Sequence, residues 1–84
     1  MRKSILIISN QATVRDMLMG LLADAGYRAS LAASGEEAVK IVSSSPFDFV
    51  LCELFLADCS GVELKRRILR LSPKSRVKIG RAHV

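Results

Sequence analysis

The chain has few of the residue types on which several classes of small protein depend. It has no tryptophan, one tyrosine and one histidine, and its two cysteines are too few for a disulfide scaffold. No apolar run approaches the roughly 18 residues of a membrane-spanning helix, and the run after the basic start is too short for a signal peptide. We therefore expect a cytoplasmic chain without membrane contact, in which Cys52 and Cys59 are free thiols.

The remaining composition is that of one small folded domain. The 84 residues are 50% hydrophobic and 25% charged, which is typical of globular domains and excludes a disordered or low-complexity chain. A chain of this length supports one hydrophobic core. We therefore expect residues 1–84 to belong to a single domain.

Acidic residues are missing from the last quarter of the chain. All eight lie at or before Glu63, whereas residues 64–84 carry eight of the 13 lysines and arginines. Such asymmetry can mark a nucleic-acid surface, but it can equally mark one solvated helix face. We favour the solvated face, because no aromatic residue is interleaved with the cations and no base-reading motif is present.

Short apolar runs alternate with helical stripes along the chain. Residues 4–8, 28–32 and 47–55 are predicted strands. The first is an apolar run of the kind expected of a strand buried on both faces, and the third is the most strand-like segment of the chain. Apolar residues at helical spacing follow each strand: Val14, Met17, Leu18, Leu21 and Leu22, then Ala38, Ile41 and Val42, then Leu64, Ile68 and Leu71. A fourth strand starts at Val77. This α/β alternation predicts a parallel sheet with helices on both faces.

Polar side chains stand at the carboxyl ends of two predicted strands, where sites of open parallel sheets form. Ser9, Asn10 and Gln11 follow the first strand, and Glu53 lies near the end of the third. Glu53 is either a functional carboxylate or one that faces water or caps a helix, and its position alone does not decide between them. No glycine-rich phosphate loop accompanies these residues, and nothing in the sequence predicts a catalytic or metal-binding set.

The sequence resembles the response-regulator receiver domains of two-component signalling. The similar residues occur in order and at the right spacing: Ile5-Leu6-Ile7-Ile8, Arg15, Leu18, Leu21-Leu22, Gly26-Tyr27, Ala32, Ser34-Gly35-Glu36-Glu37-Ala38, Phe47-Asp48, Leu51-Cys52-Glu53-Leu54, Gly61 and Glu63-Leu64. The resemblance covers Ser4 to about Lys78. It implies a flavodoxin-like sheet of strand order 2-1-3-4-5, of which this chain would hold three βα units and the start of the fourth strand. The third strand would then lie at an exposed edge.

The resemblance also implies a chemistry, from which this sequence departs. Receiver domains accept a phosphoryl group from a sensor histidine kinase on an aspartate at the end of the third strand, and an acidic pair after the first strand helps to hold magnesium. The acceptor position here is Glu53, and the acidic-pair positions are Ser9 and Asn10. Gln11, Phe55 and Ala57 fall in the loops around the pocket. Because magnesium is a hard ion that favours oxygen ligands, a single carboxylate predicts that magnesium binding is lost.

These departures predict a degenerate receiver that is not phosphorylated by the usual aspartyl mechanism. The carboxylate oxygens of a glutamate lie one methylene further from the backbone than those of the aspartate that the family uses. Small displacements of a reacting group slow a reaction greatly. Two versions remain: the fixed charge of Glu53 imitates the phosphorylated state, or the pocket is silent and the domain is a protein-interaction module. A third interpretation is a basic nucleic-acid-binding fragment. We expect no enzyme activity and no cofactor, and a sensor histidine kinase or a downstream effector protein as partner.

The last six residues depart from the family pattern. Residues 79–84 are the translation of ATCGGAAGAGCACACGTC, the start of a widely used sequencing adapter. We expect that they are not native sequence. The alternative is a natural short protein whose last strand has this sequence by coincidence.

Overall fold

Four short parallel strands form the centre of the computed structural model, which describes residues 2–80. The strands are β1 (Ser4–Ile8), β2 (Arg28–Ala32), β3 (Phe49–Cys52) and β4 (Arg76–Ile79). They lie in the order β2-β1-β3-β4, and each neighbouring pair is parallel. This confirms the predicted flavodoxin-like α/β sheet.

Three helices connect the strands: α1 (Ala12–Asp24), α2 (Gly35–Ser44) and α3 (Gly61–Leu71). Helix α2 begins at Ser34, whose hydroxyl accepts from the Glu37 amide, while the Glu37 carboxylate accepts from the Ala33 amide at 2.6 Å. At the start of α3, the Ser60 hydroxyl accepts from the Glu63 amide at 3.1 Å. These caps follow the preference of serine for the position before a helix. Within residues 2–80, no helix is long and apolar enough to cross a membrane.

The main core lies on one face of the sheet, between the strands and helices α2 and α3. Its fully buried members come from β1, β2, β3, α2 and α3: Leu6, Ile8, Ala32, Ala38, Val42, Val50, Cys52, Leu64 and Ile68. Because successive side chains of a strand point to opposite faces, Ile5 and Ile7 lie on the other face, beneath α1. Helix α1 buries no residue fully, and Met17 and Leu21 remain 59% and 60% exposed. The helices thus cover both faces, as predicted, but not equally.

The expectation that the third strand forms an exposed edge is wrong. Strand β4 pairs with β3 along its length, from Phe49 opposite Arg76 to Cys52 opposite Ile79. The Arg76 amide donates to the Asp48 carbonyl, and Val77 packs against the core. Partial burial of Val77 against the core and these backbone bonds hold the last strand in place. The expectation that residues 79–84 are foreign sequence remains a prediction, and Arg81–Val84 lie outside the described residues.

One glycine sets how closely α3 approaches the end of β3. The Gly61 amide donates to the Leu54 carbonyl at 2.6 Å, and a Cβ on Gly61 would collide with the Glu53 carbonyl oxygen. It would also lie 3.2 Å from the Leu54 Cα. Since backbone atoms cannot move aside as a flexible side chain can, only glycine fits this position.

We therefore expect Gly61→Ala to lower the free energy of unfolding by about 1–3 kcal/mol, the usual cost of overpacking. Chemical denaturation followed by circular dichroism measures it. The matched control is Gly80→Ala, because a Cβ there meets no atom within 4 Å. Equal stability of the two variants would contradict the close contact.

Candidate functional site

A hydrogen bond joins the two strand ends at which the sequence predicted a site. Glu53 follows β3 and is half-buried, and Ser9 follows β1 and is only 1% exposed. The Ser9 hydroxyl donates to Oε1 of Glu53 at 3.1 Å. The two predicted site residues are therefore in direct contact, with the serine beneath the carboxylate.

Three further hydrogen bonds fix Ser9 in this position. Its amide donates to the Ala32 carbonyl of β2, and its hydroxyl accepts from the Gln11 amide at 3.1 Å. The Arg15 guanidinium donates to the Ser9 carbonyl at 2.6 Å. A serine hydroxyl has one proton to donate, and that of Ser9 is directed to Glu53. The amide, the carbonyl and the hydroxyl of Ser9 are thus all fixed, and the hydroxyl stays within hydrogen-bond distance of Glu53.

A shallow hollow of about 410 Å³ lies above this contact, lined by Asn10, Gln11, Glu53, Leu54 and Phe55. Phe55 projects from its rim and is 75% exposed. Ala57 is exposed further along the loop, outside the residues that line the hollow. Of the residues chosen from the sequence, the structure brings together all but Ala57.

The donor set at this hollow does not fit the magnesium site that the resemblance implies. Magnesium favours hard oxygen ligands in octahedral geometry and is commonly bound through carboxylates. Here the side chains are one carboxylate, one hydroxyl and two amides, and Oε1 of the carboxylate already accepts from Ser9. Among residues 2–80, no three His, Cys, Asp or Glu side chains form a cluster that could hold a metal ion.

The loop between β3 and α3 is anchored to α2 by a contact that the sequence analysis missed. Asp58 accepts from the Gly35 amide at 3.0 Å and from the Glu36 amide at 2.9 Å. These backbone bonds hold the pKa of the Asp58 carboxyl below its usual range. A carboxylate at a helix N-terminus satisfies free amides and is favoured by the helix dipole. The only sequence signal was an acidic residue in a loop, because its partners lie more than 20 residues away.

Both thiols are free, as predicted, and neither is set up as a nucleophile. Burial raises the pKa of Cys52 to about 12 and also raises the pKa of Cys59. Since the thiolate is the reactive form, both cysteines are protonated at neutral pH and serve as packing residues.

The described cations of the last quarter of the chain, up to Lys78, do not form one surface. Arg66, Arg67 and Arg70 are exposed on α3, on one side of the sheet. Val77 packs into the core on that side, so its strand neighbours Arg76 and Lys78 point to the α1 side. This division disfavours a single nucleic-acid footprint.

Comparison with known proteins shows the family of the chain. The family model described as the response regulator receiver domain matches residues 5–83. The transcriptional regulatory protein ZraR of Klebsiella oxytoca is 33% identical over 94% of this chain. The phosphate regulon transcriptional regulatory protein PhoB of Pseudomonas aeruginosa is 34% identical over 81% of it. The chain spans only 18% and 30% of these two relatives.

Solved structures agree with this result. A Burkholderia pseudomallei response regulator, solved with a phosphorylated aspartic acid and a calcium ion, is 27% identical with a TM-score of 0.88, covering 98% of this chain and 49% of that one. The Thermotoga maritima response regulator TrrA, solved with Mg²⁺ and BeF, is 27% identical with a TM-score of 0.86, covering 92% and 67%. The chain therefore belongs to the receiver-domain family of two-component response regulators.

The contact between Asp58 and α2 predicts a dependence of stability on pH. Because the folded-state pKa of Asp58 lies below its usual value, its contribution is full near neutral pH and is lost as the pH falls through the folded-state pKa. We expect Asp58→Asn to reduce stability at pH 7 and to make the loss of stability between about pH 5 and pH 2 shallower. Urea denaturation at a series of pH values measures both effects.

The control is Asp24→Asn, which removes an exposed carboxylate at the end of α1. Asp48 also has a lowered pKa, through its hydrogen bonds with Ser4, so the variant keeps part of the acid sensitivity. If Asp58→Asn and Asp24→Asn gave the same pH profile, the anchoring role of Asp58 would be refuted.

Proposed function

We propose that this receiver domain is a phosphorylation-independent interaction module of a two-component pathway. The single observation that carries the proposal is the hydrogen bond from buried Ser9 to Glu53. It occupies the place at which the family resemblance puts the phosphoryl acceptor and its metal ligands. Partners of the kind expected for the family are a sensor histidine kinase or a downstream effector protein.

The hydrogen bond weighs against phosphoryl transfer in two ways. The hydrogen bond from Ser9 holds Oε1 of Glu53 at the strand end and lowers its nucleophilicity, which restricts how the carboxylate can align with a phosphorus atom. The transfer also needs a cation to neutralise the charge of the phosphoryl group. Ser9 and Asn10 bring no negative charge to hold such a cation, whereas the Burkholderia relative was solved with calcium and a phosphorylated aspartic acid.

Of the two versions of a degenerate receiver, the geometry favours the interaction module. A carboxylate that imitates a phosphoryl group would offer its charge to neighbouring groups that respond to it. Glu53 instead directs Oε1 towards a buried serine whose own position is fixed by Gln11 and Arg15. The exposed ring of Phe55 beside it is the type of anchor that protein interfaces use. We therefore propose that the surface around Glu53 and Phe55 binds the partner and keeps the same conformation whether or not a phosphoryl donor is present.

Phosphoryl transfer is tested by incubating the chain with magnesium and an acyl phosphate donor and then measuring its intact mass. Transfer would break the donor's bond to phosphorus, form an acyl phosphate on a protein carboxylate and release the donor carboxylate. We expect no added phosphoryl mass on the wild type or on Glu53→Gln. Stoichiometric phosphorylation of the wild type that Glu53→Gln abolishes would overturn the proposal.

Two variants give the matched comparison. Glu53→Asp alone should gain little, because the metal would still lack its acidic pair. The triple variant Ser9→Asp, Asn10→Asp, Glu53→Asp should recover magnesium binding first, and phosphorylation second when the three changes are made in a full-length version. Three clustered carboxylates repel one another, so we expect this variant to be less stable without magnesium and to be stabilised when magnesium is added.

A further inference from the structure

We draw no further inference here: the strongest candidate, the exposed basic face of α3 formed by Arg66, Arg67 and Arg70, carries nothing because the chain spans only 49% and 67% of the Burkholderia and Thermotoga receiver structures, and nothing in the structure shows what covers this face.

Discussion

The central strand β1 fixes the position of every group in the candidate site. Ile5 to Ser9 are at most 5% exposed, and β1 pairs with β2 on one side and with β3 on the other. In the β1–β3 register, Ile8 lies opposite Cys52, and the Glu53 amide donates to the Ile8 carbonyl. This register brings Ser9 beside Glu53. A slip of one residue would turn every side chain to the opposite face, so burial of the core also holds the site together.

The same register separates the residues that hold the fold from those that form the candidate site. The core residues of β1 and β3 define the family fold, and they do not depend on the residues that follow each strand. Ser9 and Asn10, at the positions where the family resemblance implies an acidic pair, are compatible with the sheet and bring no negative charge near Glu53. The hydrogen bond from Ser9 then satisfies a carboxylate that lies half-buried at the strand end. Under the proposed function, the domain keeps its surface for partners and does without phosphoryl chemistry.

The sequence was sufficient to predict the order of the elements because apolar periodicity and end signals were local. The Ser34 hydroxyl and the Glu37 carboxylate both accept from backbone amides at the start of α2, and Gly26 follows α1 with a φ of 96°. The sequence also predicted that Ser9 and Glu53 lie at the same edge of the sheet, because each follows the carboxyl end of a parallel strand. It could not predict the anchoring of Gly35 by Asp58, nor the support of Ser9 by Arg15, because these depend on how the loops pack. The sequence predicted only the start of β4 and an exposed edge at β3. A run as short as Arg76–Ile79 gives little strand signal of its own, because its stability comes from pairing with β3.

The most direct test of the account is a magnesium titration of the isotopically labelled chain, followed by the amide NMR signals of residues 9–11 and 53–55. If the hydrogen bond between Ser9 and Glu53 replaces the metal site, these signals should show no saturable shift at millimolar magnesium. The triple variant Ser9→Asp, Asn10→Asp, Glu53→Asp, measured alongside, should show saturable shifts at the same residues. Saturable shifts in the wild type, centred on Glu53 and abolished by Glu53→Gln, would contradict the account.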